Sequence, residues 1–107
     1  MRYWTVQEAR AYLPRLRELV DLVREAVEPG PTPGTLRLPA GAEHAEAALA
    51  ELEEGNVVLR QLGAGLVDLP SLGPDGEVRF LCWKVDEPEL SWWHRPEDGF
   101  AGRQPLD

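Results

Sequence analysis

The fold of this chain turns on "FLCWKVDEPELSWWH", residues Phe80 to His94. Two stretches rich in apolar and aromatic residues flank a proline-centred acidic segment, the pattern of a β-hairpin. With Asp86–Glu89 as the loop, Val85 stands opposite Leu90, Trp83 opposite Trp92, Cys82 opposite Trp93 and Leu81 opposite His94. Side chains alternate between the faces of a strand. This register puts Leu81, Trp83, Val85, Leu90, Trp92 and His94 on one face, and Phe80, Cys82, Lys84, Ser91 and Trp93 on the other. Cys82 and His94 then part company, which disfavours a metal site shared by the two.

Upstream, "NVVLRQL" and "LVDLP" are short β-rich runs separated by "GAG", and "GPDG" is a type I turn signature. Together with the hairpin they predict a four-stranded antiparallel meander, with strands over about 56–62, 65–70, 77–85 and 90–94. The residues before it have a different period. Val6, Ala9, Leu13, Leu16, Val20, Val23 and Val27 recur at helical spacing, and "TVQE" at Thr5–Glu8 is a capping box. This predicts a helix over about 5–28, bent at Pro14, where the ring frees the Arg10 carbonyl. A second, acidic helix follows over about 41–54, with Ala42, Ala45, Leu49 and Leu52 on one face and Gly55 as a left-handed cap. Arg10, Arg15, Arg17 and Arg24 of the first helix suit pairing with it.

The proline- and glycine-rich connector 29–41 and the tail 95–107 show no periodicity and are expected to be irregular. Helices first and strands after predict one α+β domain, a two-helix hairpin packed on a four-stranded meander.

Nineteen acidic against eleven basic residues give a net charge of -8, which argues against nucleic acid or an anionic membrane as partner. No apolar run reaches the ~20 residues of a membrane span, and no signal-peptide pattern opens the chain, so a cytoplasmic location is expected. A single cysteine forbids an internal disulfide and every multi-cysteine zinc pattern.

Candidate chemistry is sparse. A mononuclear zinc or iron site could draw on Cys82, His94 and carboxylates such as Glu87 or Glu89, donors that either metal accepts. Asp68, His94 and Arg103 could gather around a small anion or act as acid and base; a structural histidine near an arginine–aspartate pair is the simpler expectation. His44 points to the acidic surface of its helix, and Ser91 lacks any nucleophile elbow. The apolar residues Val78, Phe80 and Trp93, and the Val20, Val23 and Val27 end of the first helix, exceed what one short helix covers, which suggests a subunit interface.

These words also occur together elsewhere. "YWTVQEARAYLPRLRELV", "GLVDLP", "LCWKVDEPELSWWH" and "GFAGRQPL" in this order resemble the small bacterial family catalogued as domain of unknown function 2203. Asp86, Lys84 and Leu69 depart from the glycine, arginine and phenylalanine usual in that family, and the 29–41 connector replaces what is often a longer helical hairpin. The resemblance implies no activity. It marks Asp68, Cys82, Glu87, His94 and Arg103 as positions that the motif specifies by side chain.

The expectation is therefore a non-enzymatic module that self-associates as a homo-oligomer. The alternative is a small ligand- or metal-binding protein, hydrolytic in its strongest form, built on Asp68, Glu87, His94 and Arg103. No motif implies a cofactor or a catalytic residue.

Overall fold

The computed structural model describes residues 1–106 of the chain. Helix α1, Val6–Ala26, opens on the expected capping box. The Thr5 hydroxyl accepts from the Glu8 amide at 3.0 Å, and the Glu8 carboxylate accepts from the Thr5 amide at 2.9 Å. The helix continues through Pro14, which lies on its exposed side and leaves the buried stripe intact. That stripe is Ala9, Leu16, Leu19, Val20 and Val23.

Helix α2, Glu43–Glu54, lays Ala45, Ala48 and Leu52 into the core. Arg15 joins the helices by donating to both carboxylate oxygens of Glu51, at 2.8 and 2.7 Å. The other three arginines hold the turns between strands instead. Arg10 donates to the Leu90 carbonyl, Arg17 to those of Val85 and Glu87, and Arg24 to that of Gly63. The left-handed residue after α2 is Asn56 (φ 59°) rather than Gly55 (φ -86°).

The main sheet is antiparallel and has five strands, not four. In spatial and chain order these are β3 (Val58–Gln61), β4 (Leu66–Leu72), β5 (Val78–Lys84), β6 (Trp92–His94) and β7 (Gln104–Pro105). The fifth comes from the tail expected to be irregular, which also holds a 3-10 turn at Phe100–Gly102. A two-residue strand has no period to reveal it, and Pro105 is tolerated because β7 is an edge. The connector likewise contains a ribbon of β1 (Glu28–Pro29) and β2 (Leu36–Arg37), fastened by the Arg37–Glu28 ion pair at 2.9 Å.

The decisive correction concerns register. The observed partners are Phe80 with His94, Leu81 with Trp93 and Cys82 with Trp92. The loop is not the four residues Asp86–Glu89: β5 ends at Lys84 and β6 begins at Trp92. Within the wider turn, the Glu87 side chain accepts from the Lys84 amide at 2.8 Å and the Glu87 carbonyl accepts from the Trp83 indole at 3.0 Å. Leu90 is buried in the core as an anchor of the loop instead of pairing as a strand residue. Every β6 side chain is thereby moved by one place, and a one-place slip exchanges the faces.

Val67, Leu69, Leu81 and Trp83 face the helices, are fully buried, and form the core with Leu16, Leu19, Val20 and Val23. Val20 and Val23 are therefore not available as an interface, while Val27 is partly buried against the same core. Trp93 shares the helix face with Leu81, whereas Phe80 and Val78 lie on the opposite face, so the expected apolar patch is divided.

Candidate functional site

The face turned away from the helices carries Asp68, Cys82 and His94, all buried, at 3%, 1% and 2% exposure. Asp68 on β4 is the direct cross-strand partner of Cys82 on β5, and His94 on β6 is paired one pleat further along, opposite Phe80. The imidazole reaches diagonally past Cys82, so that Nε2 lies 3.0 Å from Asp68 Oδ1. One donor atom from each of Asp68, Cys82 and His94 lies within 4.8 Å of the other two. The expected separation of thiol and imidazole is overturned, because the observed register returns them to one face.

The surroundings fix these groups. His94 Nδ1 is 2.8 Å from the Arg95 carbonyl, which can only accept, so Nδ1 carries a hydrogen. Nε2 therefore turns toward Asp68, and the pair is satisfied in two ways: by a second proton on the ring or by a cation that both atoms bind. The other Asp68 oxygen, Oδ2, accepts from Arg60 Nε at 2.9 Å. Arg60 sits where the pairing of β3 shifts between Leu59 and Gln61, and its guanidinium also covers the Phe80 ring at 5.2 Å. The Phe80 ring in turn lies 5.6 Å from the imidazole.

Burial, and after it the Asp68 carboxylate, push the Cys82 thiol up to about 12, against a weaker opposing pull from Arg103. Without a bound cation the sulfur keeps its proton at neutral pH and is no nucleophile.

Glu87 and Arg103 form a second pair beside the first three residues. Arg103 donates to both Glu87 oxygens, at 2.8 and 2.6 Å, and to the Cys82 carbonyl at 3.1 Å. Its guanidinium stacks on Phe100 at 4.6 Å and Trp92 at 5.3 Å. Burial raises the Glu87 carboxyl, but the Arg103 hydrogen bonds and the Lys84 amide outweigh it and hold the group below its ordinary value.

The structure thus gathers Asp68, Cys82, His94, Glu87 and Arg103 in one region. It assigns them differently from expectation: Arg103 serves Glu87, and Glu87 is committed there and not among the clustered donors. Arg60 is the participant that sequence reasoning missed. The unpaired charge of Asp68 was its only signal, and that signal names no partner. His44 is exposed on α2, as expected, and Ser91 lies in the loop before β6.

The family model described as "Uncharacterized conserved protein (DUF2203)" matches residues 34–106, which include all five residues but begin after α1. The match spans well over half of the chain, and the chain belongs to that family. No curated protein and no solved structure matches it. Among the described residues no helix is long and apolar enough to cross a membrane.

Proposed function

We propose, for this member of the DUF2203 family, that the chain is a small metal-binding protein holding one zinc or ferrous ion through Asp68, Cys82 and His94. One observation carries the reading: oxygen, sulfur and nitrogen donors from three adjacent strands converge within 4.8 Å, with the imidazole oriented by its other nitrogen. A ring nitrogen anchored on a carbonyl is the usual support of a metal-bound histidine. Ligand atoms on a tetrahedral zinc ion stand roughly 3.3–3.8 Å apart, so closure needs shifts on the order of 1 Å or less.

Charge favours the same donor set. A divalent ion offsets one carboxylate and one thiolate beside a neutral imidazole, and the half-exposed Arg60 guanidinium on the outer Asp68 oxygen adds one positive charge at the rim. Three protein donors leave one position for water or a small anion. Since all three residues are almost fully buried, the ion's main role is to fasten β4, β5 and β6 to one another, and hydrolysis is the weaker use of it.

The test is cobalt substitution of the purified, chelator-treated protein. Cobalt should give a thiolate charge-transfer band in the near ultraviolet that Cys82→Ser abolishes. Protein that shows no band, and no zinc or iron by elemental analysis, would end this reading.

A second reading, self-association in the cytoplasm, draws on exposed Tyr3, Leu72 and Val78 at 42%, 48% and 40%. A cleft beside them is lined by Met1, Tyr3, Val58, Pro70, Val78 and Phe80. Light scattering at micromolar concentration tests it: a monomer mass removes it.

A further inference from the structure

A second cleft, of about 710 Å³, opens where the β4–β5 turn meets the end of β6. Its size is in the range of small-molecule sites. Trp93, Arg79 and Arg95 line it, with Pro74 and Pro96 as further apolar walls. It is separate from the metal donors, because Trp93 and Arg79 project from the helix face and Cys82 and His94 from the other.

Arg79 is the unusual residue here. Arg15, Arg37, Arg60 and Arg103 each bond a carboxylate. Arg10, Arg17 and Arg24 each bond a backbone carbonyl. The Arg79 side chain has no hydrogen bond or ion pair among the described residues, and its Nε, like that of Arg103, is buried without a partner; unlike Arg103, Arg79 has no carboxylate on its other nitrogens. A guanidinium nitrogen withdrawn from water and left unbonded is costly. The Arg79 guanidinium instead lies over the Trp93 ring at 4.9 Å, and Arg95 approaches the same ring at 5.6 Å. Two guanidiniums therefore converge on one indole beside a cleft, that of Arg95 also standing 3.9 Å from the Asp98 carboxylate, in a chain whose net charge is -8.

We infer that this cleft binds a small organic monoanion, a carboxylate on a flat apolar body. The carboxylate lies on the two Nη atoms of Arg79, which carry no hydrogen bond and, unlike Nε, are not buried, and the body packs against Trp93 and the prolines. The rim sets the charge limit. Asp75, which accepts from the Glu77 amide at 3.0 Å and keeps its charge, Glu77 and Glu97 are exposed carboxylates at the cleft wall. They repel a polyanion more strongly than a monoanion, so a nucleoside diphosphate should bind more weakly than a singly charged ligand.

The experiment titrates phenylacetate and, separately, ADP into the full chain, following the Trp93 indole N–H by two-dimensional NMR, with Trp93→Phe to assign it. Phenylacetate should give a saturable shift with a dissociation constant on the order of 1 mM. Arg79→Met should weaken it about ten- to hundredfold, and Arg79→Lys less, at an unchanged unfolding midpoint. If Arg79→Met does not fold, Arg95→Met, at a more exposed side chain, should still weaken binding several-fold. The inference is overturned by the absence of saturable binding, by equal affinity in the arginine variants, or by ADP binding more tightly than phenylacetate.

Discussion

His94 Nε2 stands 3.0 Å from Asp68 Oδ1 although a whole strand separates the two residues in the sheet. Contact across β5 works because the intervening side chain is the small Cys82, whose sulfur becomes the third corner. A larger residue at 82 would hold the imidazole and carboxylate apart.

Zinc uptake should therefore displace a proton. The thiol is protonated in the free chain, so binding releases at least one proton per ion, and apparent affinity rises about tenfold per pH unit through the neutral range. Competition against a chelator at two pH values measures the slope. At a zinc concentration about a hundredfold above the dissociation constant, the melting temperature should rise on the order of 10 °C. His94→Ala and Cys82→Ser should lose that rise.

The metal-free thiol should be inert. Cys82 is 1% exposed, and burial and Asp68 push it up to about 12, so a disulfide reagent at neutral pH should find no reactive sulfur until the chain unfolds. The ordinary value of 9.0 applies in the unfolded chain. A group whose folded pKa is raised contributes stability that is complete below 9.0 and lost as pH climbs toward about 12. Alkaline denaturation should begin in that window and move upward in Cys82→Ala. Rapid labelling of the folded protein would contradict the burial.

On the acid side, the Glu87–Arg103 pair is the part-buried contributor, beside the exposed Glu8 and Glu51, whose carboxyls are also held below their ordinary value. The Glu87 carboxyl is held below its ordinary 4.5, so its contribution is complete above 4.5 and lost as pH falls through the lowered value. Arg103→Met should cost about 1–3 kcal/mol at neutral pH. It should also flatten the acid limb of a stability–pH curve obtained by urea unfolding. A parallel, merely displaced acid limb would show that the pair is not responsible.

Gly65 tests the packing of α1 on the sheet. Its φ is +62°, and an added Cβ would stand 2.9 Å from Val85 and 3.1 Å from Val20. Gly65→Ala should destabilise by about 1–3 kcal/mol, with the urea m-value unchanged. An effect below about 0.5 kcal/mol would show that α1 does not press on this turn.

Much of this architecture was legible in the residues themselves. The Thr5–Glu8 box and the α1 stripe, including Val20 and Val23, are written in local spacing, which survives folding unchanged. The α+β order and β4 were legible for the same reason. The cluster was not. Its three donors share a face only because the wider turn lets Leu90 drop into the core, and nothing in "DEPE" distinguishes a tight loop from that excursion. A one-residue error of register costs nothing in strand prediction and inverts every conclusion about a site. Strand β7 was hidden because two residues around a proline show no alternation.

Phe100, Arg103 and β7 follow β5 and β6 in the chain and leave the ribosome after them, yet they close over that earlier hairpin. A nascent chain halted before this segment would hold Glu87 without its counter-charge and the β6 edge unpaired. This protein must therefore complete its fold after translation has passed residue 105, and until then the open strand edge is a natural client for a chaperone.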